Sequence, residues 1–484
     1  MISSQFSKKD NVQSHPNIIL ITIDCWRGDH FSGIDDTKVQ TPHLDRLSSE
    51  GTAFSNAHTC GGWTRPAMTA LFSSTYASMY GGFTHSKLSQ ERPVLAEILQ
   101  HKGYKTVGFT TNPVCGSNAG FDRGFTTFVD VKPELKLEGI NRIRKIRGFG
   151  RLARYNFLHT LLSPLGIRLM PVHPSVKALG LVDQAITCLK QPCNRPFFLW
   201  LHFMDIHWPY LSSEKEQSST EAVEEWRDRH IWSTKVSRCR GNFNPGVQRS
   251  ARWRRRYAEG LRAVDDALGH FFACLRRDLC WQNTAVFVTG DHGEEFQEHG
   301  TWAHSWNKLH CEGTHVPLIV RLPRPVDVGR VDQPVSHIDL APTILSVANV
   351  EPSEKMLGNS LLPLVDKKRK MISNQRPVYI EMFGHRNSCI YRLAILADGY
   401  KYIYDGEVKQ SQLYNLREDP EEMVNIYQVE HRVARRFDKL RLAHISEGLL
   451  KLLKDKSKKV SLGNFSCGID EDPSVTERLK ALGI

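Results

Sequence analysis

Asn17-Ile18-Ile19-Leu20-Ile21-Thr22-Ile23-Asp24 is an almost unbroken apolar run that ends in a carboxylate. Its β-branched content and its length, that of a single strand, read as a strand covered on both faces. The pattern returns in Thr284-Ala285-Val286-Phe287-Val288-Thr289-Gly290, followed by Asp291-His292-Gly293. Doubly covered strands belong to parallel sheets lying between helices. These two runs therefore set the fold class as α/β.

Outward from them, Thr106 to Thr111, Phe197 to Phe203 and Val316 to Arg321 read as further strands of a large, mostly parallel central sheet. Helical spacing over Pro42–Glu50, Pro66–Phe72, Val94–Gln100, Val176–Leu189, Tyr257–Arg277 and Ile338–Val347 supplies helices for both faces. Residues 130–175 and 211–250 match neither pattern and read as insertions over one rim. After about residue 370 the pattern changes. Val378–Glu381, Tyr391–Ala397 and Tyr400–Tyr404 read as antiparallel strands, with Asp398-Gly399 as a hairpin turn. The expected organisation is a flexible stretch over 1–15 and a catalytic domain over 16–370. A smaller C-terminal antiparallel α+β subdomain over 371–430 and a charged helical tail over 431–484 follow.

At 484 residues the chain is long enough for one large domain and an appendage. No window holds the ~20 consecutive apolar residues of a membrane span. Residues 1–14 are polar and lack the apolar core of a secretory signal, which predicts a cytoplasmic protein. Eleven cysteines without regular spacing read as reduced thiols. The net charge of +12 predicts anionic partners and is unevenly spread. Arg142, Arg144, Lys145, Arg147 and Arg151 form one cluster, and Arg249 with Arg252 and Arg254–Arg256 forms another. Either is a solvated helical face, a funnel for an anionic substrate, or a docking site for acidic lipid headgroups. Apolar Phe157, Leu158, Leu161, Leu162 and Leu165 follow the first cluster and suit an interfacial helix. No nucleic-acid module is present in the pattern, so nucleic acid is not an expected partner.

In open parallel sheets, ligands bind beyond the carboxyl ends of the strands, where Asp24, Asp291 and His292 stand. Carboxylates with an imidazole suit Zn²⁺ or Mn²⁺ better than Ca²⁺, which prefers oxygen ligands. Thr64 precedes Arg65-Pro66, and proline favours the first turn of a helix. A threonine there is either a plain helix cap or a hydroxyl in an oxyanion-binding helix N-terminus. Contact with a cation would lower its pKa and make it a nucleophile.

The order of these motifs is specific. Asn17–Asp24 is followed by Thr41-Pro42-His43-Leu44-Asp45-Arg46-Leu47, then Thr64-Arg65-Pro66, then Gly290-Asp291-His292-Gly293-Glu294. Val316-Pro317-Leu318-Ile319-Val320, Ser336-His337-Ile338-Asp339-Leu340-Ala341-Pro342-Thr343 and Leu413-Tyr414-Asn415-Leu416-Arg417-Glu418-Asp419-Pro420 come after them. Over about residues 16–427 the chain resembles the sulfatase family of the alkaline-phosphatase-like superfamily. The resemblance implies a metal site, a covalent intermediate, and cleavage or transfer of sulfate or phosphate esters. By position, Asp24, Asp291 and His292 become metal ligands, and Thr64 becomes both ligand and nucleophile. His207 becomes a group that contacts the ester and protonates its leaving oxygen. Lys308 matches the lysine that neutralises the bound anion, while His299 and His304 are weaker candidates. Arg27 and Asp29 read as support for the first ligand or as a simple ion pair.

Three departures bear on the chemistry. Sulfatases that carry formylglycine make it from Cys or Ser in a Cys/Ser-x-Pro-x-Arg run. Here Thr64 and Met68 occupy the ends of that run, and Cys60 lacks the proline, so no formylglycine is expected. Cys25 stands where most sulfatases have a second acid, which again disfavours Ca²⁺. Asn112 stands near the family's missing Lys-x-His, either giving an amide to the oxyanion or turning the chain before Pro113. A threonine nucleophile looks like the phosphoglycerol-transferase and phosphodiesterase branches. The expectation is therefore a hydrolase or transferase of phosphate mono- or diesters. The alternatives are a sulfuric ester hydrolase and a non-catalytic binding protein that keeps the fold.

Overall fold

A computed structural model describes residues 15–130, 177–208, 243–366 and 376–454 apart from short stretches within them, plus isolated positions between 210 and 231. The first basic cluster, the apolar residues after it, residues 1–14 and most of both insertions lie outside the described residues.

Strands β1 (Asn17–Ile23), β2 (Thr52–His58), β3 (Lys105–Thr110), β4 (Thr127–Asp130), β5 (Phe197–Phe203), β6 (Thr284–Gly290), β7 (Glu295–Phe296), β8 (Trp302–Ala303), β9 (His315–Arg321), β10 (Gly329–Val331) and β11 (Val335–Ser336) belong to the larger part of the chain. All but the β7–β8 ribbon join one sheet in the order β10-β2-β9-β6-β1-β5-β3-β4, with β11 also on β2. The expected strands at the centre are all present, and β1 lies between β5 and β6 in parallel register. β9 differs from the simplest parallel reading because it runs antiparallel to both β6 and β2. The segment that feeds it therefore starts at the edge where the parallel strands end.

Both faces of the sheet are sealed. Ile19, Ile21 and Ile23 pack on one face with Leu199, Leu201, Val286 and Val288. Ile18 and Leu20 pack on the other with Phe198, Trp200 and Phe287. At about 1.5–3 kcal/mol for each fully buried large aliphatic side chain, β1 alone is a strong anchor. Helices α1 (Pro42–Ser49), α4 (Ala178–Leu189) and α5 (Val247–Asp278) cover the first face. Helices α2 (Thr64–Ser73), α3 (Leu95–His101) and α6 (Leu340–Val347) cover the second. α5 begins at Val247, earlier than expected, so the second basic cluster is its first turns rather than part of an insertion. Arg249, Arg252 and Arg256 of that cluster converge on Asp228. Arg255 pairs with Glu259, and Arg254 reaches Glu298. The cluster is thus largely engaged within the chain. No described helix is long and apolar enough to cross a membrane.

The C-terminal part is an antiparallel meander of β12 (Val378–His385), β13 (Ser388–Ala397), β14 (Tyr400–Asp405) and β15 (Gln410–Asn415). Asp398 and Gly399 turn the β13–β14 hairpin with φ of 53° and 85°, the positive values of a two-residue hairpin turn. One face packs on α7 (His431–Lys454) through Phe437 and Ile445. The other packs on Leu309 and Trp63 through Ile380, Met382 and Tyr414. Polar contacts reinforce this junction. Glu381 N donates to the Cys60 carbonyl, and Gly62 N points at Met382 Sδ. Lys401, fully buried, donates to Glu422 at 2.8 Å and to Thr314 at 3.1 Å.

Lys401→Met should leave Glu422 as a buried charge without its cation and lower unfolding free energy by roughly 3–5 kcal/mol in a denaturant titration. A second prediction concerns acid. Burial, with a smaller push from the His292 ring, holds His337 down to about 3. An unfolded histidine titrates near about 6.5, so the stability tied to His337 is whole above that pH. It falls as the pH drops towards about 3, because the unfolded chain takes up a proton that the folded one refuses. His337→Asn should therefore shrink the difference in denaturation midpoint between neutral and mildly acidic buffer.

Candidate active site

The carboxyl ends of β1, β3, β5 and β6 share one edge of the sheet, and four side chains converge there. Asp24, Asp291 and His292 are fully buried, and Thr64 nearly so. Thr64 is the first residue of α2, with extended Trp63 as its cap, so it is not itself the cap. Its backbone places Oγ1 3.4 Å from Asp24 Oδ2 and 3.3 Å from His292 Nε2. His292 Nε2 lies 3.5 Å from Asp24 Oδ1 and 3.6 Å from Asp291 Oδ2.

These spacings test a metal. Ligand atoms arranged tetrahedrally at 2.0–2.2 Å from a zinc-sized cation are separated by roughly 3.3–3.6 Å. The separations around Thr64 Oγ1 and His292 Nε2 fall in that range, with a different Asp24 oxygen facing each, whereas calcium takes six to eight oxygens at longer range. Two further observations agree. Asp291 Oδ2 is buried without a hydrogen-bond partner. His292 Nδ1 donates to the Gly293 carbonyl at 2.8 Å, which leaves the Nε2 lone pair facing the carboxylates. The turn after β6 requires glycine, because a Cβ on Gly293 would fall 1.9 Å from the Glu312 carbonyl oxygen.

The electrostatics are those of two carboxylates sharing one dry site. Burial and then the Asp24 charge push Asp291 well above the usual carboxylate range. Burial would also raise Asp24, but the His207, His202 and His292 rings outweigh it and hold Asp24 well below that range. Burial, followed by the His304 charge, lowers His292 to about 4, so its ring is neutral and able to ligate near neutral pH.

The remaining expected residues divide. Asn112 turns the chain before Pro113, and its amide serves a carboxylate. Its Oδ1 accepts from Val114 N at 2.8 Å, and its Nδ2 donates to Asp24 Oδ2 at 2.6 Å. His207 offers one nitrogen within 4.8 Å of an Asp24 oxygen and Cys25 Sγ, while its Nδ1 donates to the Trp208 carbonyl. Lys308 has its ammonium engaged within the chain. Its ammonium donates to the His299 carbonyl and lies 3.4 Å from Glu295. Buried Arg27 pairs with the half-buried Asp29 and also reaches Glu298.

Cys25 takes the left-handed region, with φ of 65°, and its thiol lies 3.1 Å from Asp24 Oδ1 and 3.5 Å from His304 Nδ1. Burial and then the Glu294 charge keep that thiol protonated. Glu294 was not singled out from sequence, although it follows the Asp-His-Gly run. Fully buried, it holds His304 at 2.9 Å and accepts from Tyr210 at 2.8 Å. Burial would lower His304, but the Glu294 charge outweighs it and raises the ring. His304 lies with its ring 4.6 Å from that of His292 and 5.1 Å from that of His207.

Asn112→Ala should free Asp24 and weaken Mn²⁺ or Zn²⁺ binding about 10–100-fold in a calorimetric titration, with the thermal unfolding of the metal-free chain little changed.

The sulfatase family model matches residues 16–350, and a model of the C-terminal part of N-sulphoglucosamine sulphohydrolase matches residues 297–444. The multifunctional alkaline phosphatase superfamily protein PehA of Trinickia caryophylli is 26% identical over 406 residues, 72% of this chain and 77% of that protein. Arylsulfatase K of Gallus gallus is 25% identical over 451 residues, covering 85% and 79%. Among solved structures, the phosphonate monoester hydrolase of Agrobacterium radiobacter superposes with a TM-score of 0.66 at 19% identity, covering 90% of this chain and 96% of that one. With the motif order, the mostly parallel sheet and the matched length in agreement, the chain belongs to the sulfatase family of the alkaline-phosphatase-like superfamily, a family of hydrolases acting on ester bonds.

Proposed function

We propose that this family member cleaves a phosphate mono- or diester through a covalent intermediate on Thr64. The observation that carries the reading is Thr64 Oγ1 at 3.3–3.4 Å from His292 and Asp24, where a sulfatase of the formylglycine type has an aldehyde hydrate. A divalent cation of the Zn²⁺ or Mn²⁺ type, held by Asp24, Asp291, His292 and Thr64, would supply Lewis-acid charge to the hydroxyl and the ester.

The chain's own groups supply the rest. Thr64 Oγ1 loses its proton to solvent and forms a bond to phosphorus as the bond to the ester oxygen breaks. His207, with His304 beside it, gives that oxygen a proton. The first N–H groups of α2, at the positive end of its helix dipole, would receive the ester oxygens. Asn112 steadies Asp24. Water, or a second alcohol in a transferase, then attacks phosphorus and releases Thr64. Threonine favours phosphorus because a phosphothreonine can be hydrolysed at phosphorus. A sulfated threonine lacks the second hydroxyl by which formylglycine expels sulfate. Solved structures of the same fold include phosphonate monoester hydrolases, whose substrates are phosphorus esters.

The alternative, sulfate cleavage, is favoured by the match to the sulphohydrolase C-terminal family and by the arylsulfatase K relatives. Turnover of an aryl phosphodiester, an aryl phosphomonoester and an aryl sulfate with added Mn²⁺ or Zn²⁺ separates the two. The expected result is phosphoester cleavage that drops roughly 10³-fold or more in Thr64→Ala, with an adduct mapped to Thr64 in the wild-type chain. Sulfate turnover that survives Thr64→Ala would overturn the mechanism.

A further inference from the structure

The helix that carries Thr64 is tied beyond both of its ends to one buried residue. Glu381 lies on β12 and is fully buried. Its backbone N–H donates to the Cys60 carbonyl at 2.9 Å, shortly before α2. Past the end of α2, Ser74 takes the left-handed region with φ of 52°, and the chain turns back. Ser78, in the turn Ala77–Tyr80, then meets the same glutamate. Its N donates to Glu381 Oε2 at 2.9 Å and its Oγ to Oε1 at 2.8 Å.

A further donor comes from the C-terminal helix. His444 of α7 is buried, and its Nε2 lies 2.5 Å from Glu381 Oε1. Its ring stacks on Tyr379 with centroids 4.0 Å apart and planes 7° apart, and Tyr76 meets it edge-on at 4.9 Å. Burial would raise Glu381, but the His444 ring outweighs it and holds the carboxyl below its usual range. The carboxylate therefore accepts, and His444 Nε2 carries the proton. α7 also comes close enough to require glycine, because a Cβ on Gly448 would fall 2.7 Å from Ser78 Oγ. Glycine weakens a helix interior, and here it admits the turn that follows α2.

The tie reaches Thr64 through short contacts. A Cβ on Gly61 would fall 2.6 Å from Pro66 Cβ, so the chain after Cys60 lies directly against the first turn of α2. Gly62 N points at Met382 Sδ, from the residue that follows Glu381 on β12. Of the four side chains that converge at the site, only Thr64 rides on α2, since Asp24, Asp291 and His292 follow β1 and β6. A small shift of α2 moves the hydroxyl and leaves the other three in place.

We propose that Glu381 and His444 are positioning residues for Thr64, through which the C-terminal helix sets the reach of the hydroxyl into the site. This role rests on Thr64 being the nucleophile.

The test uses the full chain with saturating Mn²⁺ or Zn²⁺ and an aryl phosphoester, well below the unfolding temperature of each variant. His444→Ala should lower kcat about 10–100-fold and change KM less than about 3-fold, as a misplaced nucleophile does. His444→Gln, which keeps a donor where Nε2 stood, should regain most of kcat. Ser78→Ala, which removes one donor from the same carboxylate, should lower kcat by about 3–10-fold. In the metal-free chain, amide hydrogen exchange over residues 64–73 should speed up in His444→Ala, while exchange over β1 and β6 keeps the wild-type rate. In a Thr64→Ala background His444→Ala should cost nothing further, because its effect passes through the hydroxyl. Wild-type kcat in folded His444→Ala, or an equal loss in both backgrounds, would overturn the positioning role. If His444→Ala does not fold, wild-type kcat in Ser78→Ala overturns it instead. A Thr64→Ala chain with the wild-type rate would overturn the nucleophile, and the exchange measurement then judges the tie to α2 separately.

Discussion

Two carboxylates that cannot both be charged in a dry site without a cation between them are the constraint on which the rest of this structure depends. Asp24 and Asp291 end adjacent parallel strands, and the parallel register places Ile23 beside Gly290. Nothing in the hydrophobic packing calls for acids there. Burying both costs several kcal/mol unless a cation or protons intervene. The strands are nonetheless packed on both faces, which fixes the two acids within reach of one ion. Stability invested in β1 and β6 thus holds the two acids in a geometry that would otherwise fly apart.

The C-terminal sheet extends this logic to Thr64. Residues 60–63 enter α2 between Cys60, whose carbonyl accepts from Glu381, and Trp63, which packs against the C-terminal cluster. The start of the helix is therefore set by a sheet that lies more than three hundred residues away in sequence. A cap residue alone could not do this, since Trp63 makes no side-chain cap hydrogen bond. The appendage serves as a wall of the loop that carries Thr64 as well as a separate layer.

The fold was legible where burial on both faces left a continuous apolar run, as in β1, β5 and β6. β2 escaped notice because Thr52, Ser55, Asn56 and His58 interrupt its apolar residues, although most of it is buried. The reversed direction of β9 left no trace in its composition, because an antiparallel strand inside a sealed sheet is as apolar as a parallel one. At the site, residue types and order identified Asp24, Thr64, Asp291 and His292, which the fold brings together. Partner choice was not legible. Asn112 turned to a carboxylate and Lys308 to a carbonyl and Glu295, and three arginines of a basic run found the single acid Asp228. Such pairings depend on which loops meet, and spacing along the chain does not encode that.

Cys25 gives the site a particular overall charge. Because its thiol stays protonated, the residues around the cage contribute two negative charges from Asp24 and Asp291, while Glu294 is offset by His304. A divalent cation bound there would bring this assembly to electroneutrality. An acid at position 25 would leave it net negative, and an approaching anionic ester would be repelled across a few ångströms of low-dielectric interior. In this chain a protonated thiol in place of a carboxylate lowers the negative charge that faces an approaching anion.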